Sequence, residues 1–349
     1  MKFTAILLAT LMLCACARSG TPQVTVLTYA SPYAPSHPFS QADIAWMKWV
    51  EQRSGGHLRI QPYWSGSVLS SEHSMSELRH GVVDIGLITP IYVRGGTHLI
   101  RTQAAFYAGL TSFKQQVALY HCLTEADPQF RRELDGLVVL AVQGGNLPGI
   151  LTRNRPLHRL EDLQGLRLRA PAELLPVLRH FGADPVEMPM GEVYAALAKG
   201  VLDGVVAPAD TLKSLHFAEV AHYFSRLHIP RGAYAARAMG EHRWKSLTEE
   251  ERSILREGVA VWEDALDTQL AQAERAGEVV GHEHGIEFIT PTPQDVERFL
   301  NGYDQFAAQA AAGLQQRFNI DGETPYRYAR ALVAASAASG TIECKGEGT

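Results

Sequence analysis

The sequence lacks the features that mark several large functional classes of protein. It carries 32 Lys+Arg against 37 Asp+Glu, a formal net charge of -5, so it has no basic excess of the kind that nucleic-acid binding requires. It contains no internal repeat, low-complexity tract or long block of like charge, which argues against solenoids and extended disorder. No stretch of 18 apolar residues follows the N-terminal segment, so we expect no membrane-spanning helix there.

The motifs of common enzymes are missing as well. The chain has no Gly-x-Ser-x-Gly, His-Glu-x-x-His, phosphate loop or dinucleotide fingerprint. His282-Glu283-His284 lies near the end of a predicted long helix, where side chains two residues apart diverge. We therefore expect no metal site, no cofactor and no catalysis, and keep an exported enzyme as an alternative.

Cysteine is scarce, and two of the four cysteines lie in the N-terminal segment. Residues 3–13 are apolar but too short to span a bilayer, and they end in Leu13-Cys14-Ala15-Cys16, which is similar to a bacterial lipobox. We expect 1–15 to be a lipoprotein-type signal peptide and Cys16 to carry the lipid that attaches the protein to a membrane. The alternative is a plain secretory signal that is cut nearby, after Ala15 or Ala17.

The remaining cysteines are Cys122 and Cys344. An oxidising compartment would permit a disulfide between them, which would join the C-terminal tail to the body of the protein. Two separate thiols are the alternative, and the sequence separation does not decide between them.

Hydrophobic periodicity predicts alternating strands and helices. Strands are expected at 23–29, 57–64 and 82–88, with helices at 39–53 and 70–79 between them. A second alternating set follows a strand at 137–143, with strands at 166–170, 186–188 and 201–206 and helices at 172–181 and 192–199. Two such units predict an α/β fold with two lobes and a cleft between them, lined by the loops at the carboxyl ends of the strands.

A long helix is predicted over 248–282. Thr248 and Glu251 form a capping box at its start, and a length of about 50 Å is enough to cross both lobes. A final helix is predicted over 294–318, and we expect the last twenty residues to lie on the surface.

Several segments resemble, in order, the solute receptors of TRAP (tripartite ATP-independent periplasmic) transporters. They are His37-Pro38, VEQRSGGHLRI at 50–60, LRHGVVDIG at 78–86, LQGLRLRAP at 163–171, GADPVEMP at 182–189, EVYAAL at 192–197 and GVLDG at 200–204. The resemblance covers essentially the whole chain after the signal segment.

This resemblance implies a periplasmic-binding-protein-like fold of two α/β lobes crossed by a long helix. We expect lobe I to comprise 21–147 plus 233–272, and lobe II 148–232 plus 273–335. The implied function is a periplasmic receptor that binds a small organic acid and delivers it to TRAP permease subunits. A sensory or scavenging receptor without a permease would share this fold.

Arg169 is the expected ligand anchor, because the family carries a carboxylate-binding arginine in the matching strand. A guanidinium offers two parallel donors to two carboxylate oxygens. Arg167 would share the same sheet face, and the motif favours Arg169. Gly149 and Ala207 stand where many members carry an arginine and an asparagine. The sequence therefore predicts a less polar pocket, suited to an apolar or aromatic monoacid.

Other expected pocket residues have suitable side-chain chemistry or lie at the ends of predicted strands and helices. Core packing is the alternative for each aromatic residue. These candidates are Met190, Tyr194, Thr89, Ser71, Glu72, Trp64 and Tyr234, with Tyr29, Tyr92 and Tyr107 as further aromatic walls.

Overall fold

The computed structural model describes residues 24–93 and 95–344. Its first sheet contains five strands: β1 (Thr25–Ala30), β2 (Leu58–Tyr63), β3 (Ile85–Leu87), β4 (Leu137–Gln143) and β10 (Tyr234–Gly240). Their order across the sheet is β2-β1-β3-β10-β4. Strand β1 is parallel to both β2 and β3, as the sequence predicts. Strand β10 is antiparallel to its neighbours β3 and β4.

The second sheet contains six strands: β5 (Gly149–Thr152), β6 (Arg167–Arg169), β7 (Asp184–Val186), β8 (Gly204–Ala207), β9 (Tyr223–Ser225) and β11 (Glu287–Ile289). Their order is β11-β9-β5-β8-β6-β7. Strand β6 lies parallel to both β7 and β8, so the loops after these three strands share one edge of the sheet.

The chain passes from the first sheet to the second through residues 144–148 and returns through residues 226–233. We call these two stretches the crossing segments. The predicted α/β fold with two lobes is confirmed by this arrangement, while the lobe boundaries drawn from the sequence remain a prediction.

Twelve α-helices occur in the described ranges and surround the two sheets. They are α1 (Pro38–Arg53), α2 (Ser74–Arg79), α3 (His98–Gln103), α4 (Phe113–Ala126), α5 (Gln129–Glu133), α6 (Leu175–His180), α7 (Val193–Ala198), α8 (Thr211–Ser214), α9 (Glu241–Ser246), α10 (Glu249–Glu283), α11 (Pro293–Phe318) and α12 (Glu323–Ser339).

Helix α10 is the long helix that the sequence predicts. The Glu251 amide donates to Thr248 Oγ1 at 3.2 Å, and the Thr248 amide donates to Glu251 Oε2 at 2.7 Å, which forms the expected capping box. The helix packs against α1 and β4 on the first lobe and against α8 on the second. It therefore crosses both lobes.

The structure corrects one predicted helix and the expectation for the C-terminal residues. Helix α2 begins at Ser74 rather than at 70, because the Ser70 amide donates to Glu77 Oε2 at 3.0 Å and residues 71–73 form a turn before the helix. The C-terminal region is not purely surface-bound. Helix α12 buries Leu332 and Val333, and Cys344 forms a disulfide with Cys122 of α4.

The predicted signal peptide 1–15 and the lipid-bearing Cys16 lie outside the described residues. Within 24–93 and 95–344, no helix is both long enough and apolar enough to cross a membrane.

Candidate ligand-binding site

A cavity of about 100 Å³ lies between the two sheets. Its wall includes Thr89 after β3, Arg169 at the end of β6 and Pro208 after β8, together with Pro148 and Arg231 of the crossing segments. Loops at the carboxyl ends of strands therefore converge on it, as in other α/β ligand sites. The predicted residues that line this cavity are Arg169, Met190, Thr89, Tyr234 and Tyr92.

Arg169 is held in place by groups from both lobes. Its Nε donates to the Met188 carbonyl at 3.0 Å, and its Nη2 donates to the Tyr92 hydroxyl at 2.5 Å. The side chain is only 2% exposed. No acceptor in the described part of the chain takes a hydrogen bond from Nη1. The guanidinium is thus a fixed, buried cation with donor capacity left for an anion in the cavity.

Arg167, the alternative anchor, lies elsewhere. It is exposed and pairs with Asp184 at 3.7 Å. Both arginines project from the same face of β6, but Arg167 stands two residues before the carboxyl end, about 7 Å farther from the cavity. The strand position therefore separates a surface arginine from a site arginine.

Arg231 is a second arginine in the cavity wall, and the sequence interpretation missed it. It lies on the second crossing segment, and its Nη1 is 3.5 Å from the Asn146 carbonyl on the first. A Cβ at Gly145 would lie 2.4 Å from Arg231 Cζ, so the bare glycine backbone makes room for the guanidinium. Arg231 forms no ion pair with any carboxylate within 24–93 and 95–344.

The crossing segments are themselves anchored by glutamines of the first lobe. Gln116 Nε2 donates to the Gly145 carbonyl at 3.0 Å, and its Oε1 accepts from the Gly145 amide at 2.8 Å. Gln103 Nε2 donates to the Ala233 carbonyl at 2.8 Å. The Gln103 bond holds the segment that carries Arg231, and the Gln116 bonds hold the segment beside it.

Glu173 is a carboxylate in the same cavity wall, in a single 3-10 turn over Ala172–Leu174. Burial raises the pKa of its carboxyl to about 7, which the cations Arg169 and Arg231 partly oppose and Glu187 reinforces. No sequence pattern marked Glu173 as a site residue, because it lies inside the helix predicted over 172–181.

The rest of the wall is aromatic or aliphatic. Tyr33 and Tyr92 contribute phenol rings, and Phe39 and Ile91 contribute apolar surface. Met190 adds a flexible thioether side chain. Tyr33 stacks on His37 at a centroid distance of 4.1 Å. Burial lowers the pKa of that His37 to about 3, which leaves the imidazole neutral.

A buried ionic network supports the cavity from behind. Arg237 Nε donates to Asp43 Oδ1 at 2.7 Å, and its Nη1 donates to Gln143 Oε1 at 2.9 Å. Gln143 Nε2 in turn donates to the Tyr234 hydroxyl at 3.0 Å, and Trp262 Nε1 donates to Asp43. The network ties α1, β4, β10 and α10 to one wall of the site.

Three predicted site residues serve packing or surface contacts instead of lining this cavity. Trp64 follows the edge strand β2 and packs edge-on against the buried Tyr29 at 5.7 Å. The Tyr194 hydroxyl donates to Glu219 at 2.8 Å on the exposed side of α7. Tyr107 is fully buried and donates to Gln103.

Four further candidates lie beside the cavity or away from it. Gly149 and Ala207 are paired in β5 and β8, and a Cβ at Gly149 would lie 2.4 Å from the Ser225 carbonyl oxygen. Glu72 borders a separate surface depression with Arg79. The Ser71 carbonyl accepts a hydrogen bond from the Thr89 hydroxyl and so positions that cavity residue.

Comparison with known proteins identifies a family. The family of bacterial extracellular solute-binding proteins, family 7 (DctP), matches residues 29–313. A sialic acid-binding periplasmic protein, SiaP of Vibrio cholerae, is 33% identical over 150 residues, which are 42% of this chain and 46% of SiaP. The chain matches about half the length of the first curated relatives.

Two solved structures share the fold. One is a TRAP solute-binding protein of Rhodoferax ferrireducens in complex with copurified benzoate, with a TM-score of 0.82 and 22% identity, over 91% of this chain and 100% of that one. Another is a TRAP solute-binding protein from a marine metagenome that is specific for aromatic acid ligands. It has a TM-score of 0.79 and 21% identity, over 90% of this chain and 100% of that one. The family match covers most of the chain and these structures share its two-lobe fold, so the chain belongs to family 7 of the bacterial extracellular solute-binding proteins, the receptors of TRAP transporters.

Proposed function

We propose that this protein binds a small organic monocarboxylate with an apolar or aromatic body in the cavity between its lobes. One observation carries the proposal: two arginines without carboxylate partners in the described ranges, Arg169 and Arg231, face a cavity whose wall is otherwise largely aromatic and aliphatic. A buried guanidinium is costly unless an anion pairs with it. A ligand carboxylate supplies that anion, and the apolar wall receives the remainder of the ligand.

The lining of the cavity supports a flat acid. Phenol rings and the Met190 thioether in the cavity wall favour contact with a planar ring. The two solved relatives named above hold aromatic acids, which is consistent with this ligand class.

The experiment is a search for the ligand followed by titration. Native mass spectrometry of gently purified protein should reveal a bound acid, and calorimetry with aromatic and short aliphatic monocarboxylates should give saturable binding. Binding should depend on both Arg169 and Arg231. If every carboxylate fails to bind, or binding is indifferent to both arginines, the proposed function is wrong.

We further propose that the protein acts in the periplasm and hands its ligand to TRAP permease subunits. The Cys122–Cys344 disulfide supports an oxidising compartment. Reconstituted permease subunits should import the acid only when the receptor is added.

A lipid anchor at Cys16 predicts palmitate incorporation that is lost in Cys16→Ser, and retention of the label in that variant would refute the anchor.

A further inference from the structure

Glu173 places a carboxylate in a cavity that otherwise suits an anion. It follows Arg169 by four residues and lines the same cavity from the 3-10 turn Ala172–Leu174. A site that only had to attract a carboxylate would gain nothing from a like charge there. We infer that Glu173 selects the ligand: the bound acid carries a hydroxyl group that donates a hydrogen bond to the Glu173 side chain while the arginines hold its carboxylate.

This inference rests on the proposed function, and it starts from the hydrogen bonds that each polar wall residue already makes. The Tyr92 hydroxyl accepts from Arg169, the Tyr234 hydroxyl accepts from Gln143, and the Thr89 hydroxyl donates to the Ser71 carbonyl. Glu173 differs from them. Apart from its own backbone amide, no donor in the described part of the chain reaches its carboxylate.

The missing hydrogen-bond donor to Glu173 becomes unfavourable when a ligand is bound. In the empty cavity, water can solvate the partly buried Glu173 side chain. A ligand that fills the cavity displaces that water, and a buried acceptor without a donor is unfavourable. The ligand itself must then supply the donor, since the nearest protein cations do not pair with Glu173.

The balance of charge indicates a neutral donor. Two guanidinium groups and one ionised carboxylate leave one positive charge, which a single ligand carboxylate neutralises. A second ligand carboxylate would be repelled by the ionised Glu173, and a ligand ammonium group would be repelled by the two arginines. Glu187, which also acts on Glu173, pairs with Arg101 at 3.3 Å and adds no net charge. A hydroxy-monocarboxylate fits this balance.

The titration of Glu173 is consistent with such a contact. With burial raising its pKa to about 7, both protonation states are accessible near neutral pH. The tyrosines Tyr234 and Tyr303 also face this carboxyl, and burial keeps both of them neutral there. A hydroxyl that donates to the ionised form stabilises it, whereas an unsubstituted acid leaves it unpaired.

The test compares matched ligands that differ only in the donor. Calorimetry measures the binding of each ligand to wild-type protein, Glu173→Gln and Glu173→Leu. The aromatic set contains 2-, 3- and 4-hydroxybenzoate, the corresponding methoxybenzoates and benzoate. The aliphatic pair is lactate and propionate. The best hydroxy acid should bind at least about tenfold more tightly than its methoxy or unsubstituted partner. In Glu173→Leu that preference should fall to about threefold or less, while the affinity for the unsubstituted acid is kept or improved.

Glu187→Gln is the matched control, because it removes a nearby carboxylate that lies outside the cavity wall. It should keep the wild-type preference for the hydroxy acid. Equal affinity of wild-type protein for hydroxy and unsubstituted acids would overturn the inference, and so would a preference that persists in Glu173→Leu. Arg169-dependent binding without any such preference would leave the proposed function standing. If none of the acids binds, this inference falls together with the proposed ligand class.

Discussion

The Arg169 guanidinium and the Tyr92 hydroxyl form a hydrogen bond of 2.5 Å that joins the two lobes across the cavity. Tyr92 follows β3 in the first sheet, and Arg169 ends β6 in the second. The group that we propose as the carboxylate anchor is therefore also a contact between lobes. We therefore predict that ligand binding and lobe closure depend on the same side chain.

Replacing Arg169 by alanine should weaken monocarboxylate binding by about 2–4 kcal/mol, because it deletes a buried cation and leaves the ligand anion unpaired. Calorimetry measures the loss directly. Arg167→Ala is the matched control, since that arginine lies two residues away on the same strand but is exposed. Equal effects of the two substitutions would contradict the assignment of Arg169.

Tyr92→Phe should weaken ligand binding by a smaller amount, about 0.5–1.5 kcal/mol, because one hydrogen bond between the lobes is lost while the ring stays. Small-angle scattering of the ligand-free variant should show a larger radius of gyration than wild type. Tyr194→Phe removes a hydroxyl that bonds to Glu219 on the surface and should change neither quantity. A Tyr92→Phe protein with wild-type affinity and compactness would show that the contact is unimportant.

The affinity for an unsubstituted monocarboxylate should fall as the pH rises through 7. The raised pKa of Glu173, about 7, means that its carboxyl is neutral below this range and ionised above it. The ionised form repels the incoming anion, so binding takes up a proton. Calorimetry in buffers of different ionisation enthalpy should detect this uptake, and Glu173→Gln should abolish both the uptake and the pH dependence.

The same residue affects the free energy of unfolding. The folded-state pKa of Glu173 lies above its usual value of 4.5, so the native protein binds more protons than the unfolded chain between these limits. Stability therefore decreases as the pH rises through 7. Glu173→Gln should raise the melting temperature at pH 8 and leave it nearly unchanged at pH 4. A variant stabilised equally at both values would contradict this reasoning.

Asp43→Ala should destabilise the fold by about 3–5 kcal/mol, because it leaves the buried Arg237 without its ion-pair partner. Chemical denaturation measures the change. The surface pair of Arg53 and Glu257 provides the control, and Glu257→Ala should cost less than about 1 kcal/mol. Comparable losses would mean that the buried network contributes little.

Local patterns sufficed for much of the fold. The capping box of Thr248 and Glu251 marks the start of α10, and the strands predicted around 23–29, 57–64 and 82–88 form the parallel core of the first sheet. Helix α12 was missed, since its burial depends on α4 and α11, which are distant in sequence.

The site was less predictable than the fold. Arg169 was found because it lies within a motif. Arg231 was missed because its place in the cavity depends on where the chain crosses between sheets, which no local pattern records. Trp64 was expected in the wall, but β2 is the edge strand of its sheet, separated from β3 by β1, and Trp64 does not line the cavity. The order of strands in the sheet, rather than residue type, decides which ends line the cavity.

The crossing segments form part of the cavity wall, and this has a kinetic consequence. We expect the lobes to rotate against each other about these segments, so that groups near the segments move little and distant groups move far. Arg231 lies on one of the segments, whereas Arg169 ends β6 in the second sheet. We therefore predict sequential capture of the acid, in which Arg231→Ala mainly slows association and Arg169→Ala mainly shortens the residence time.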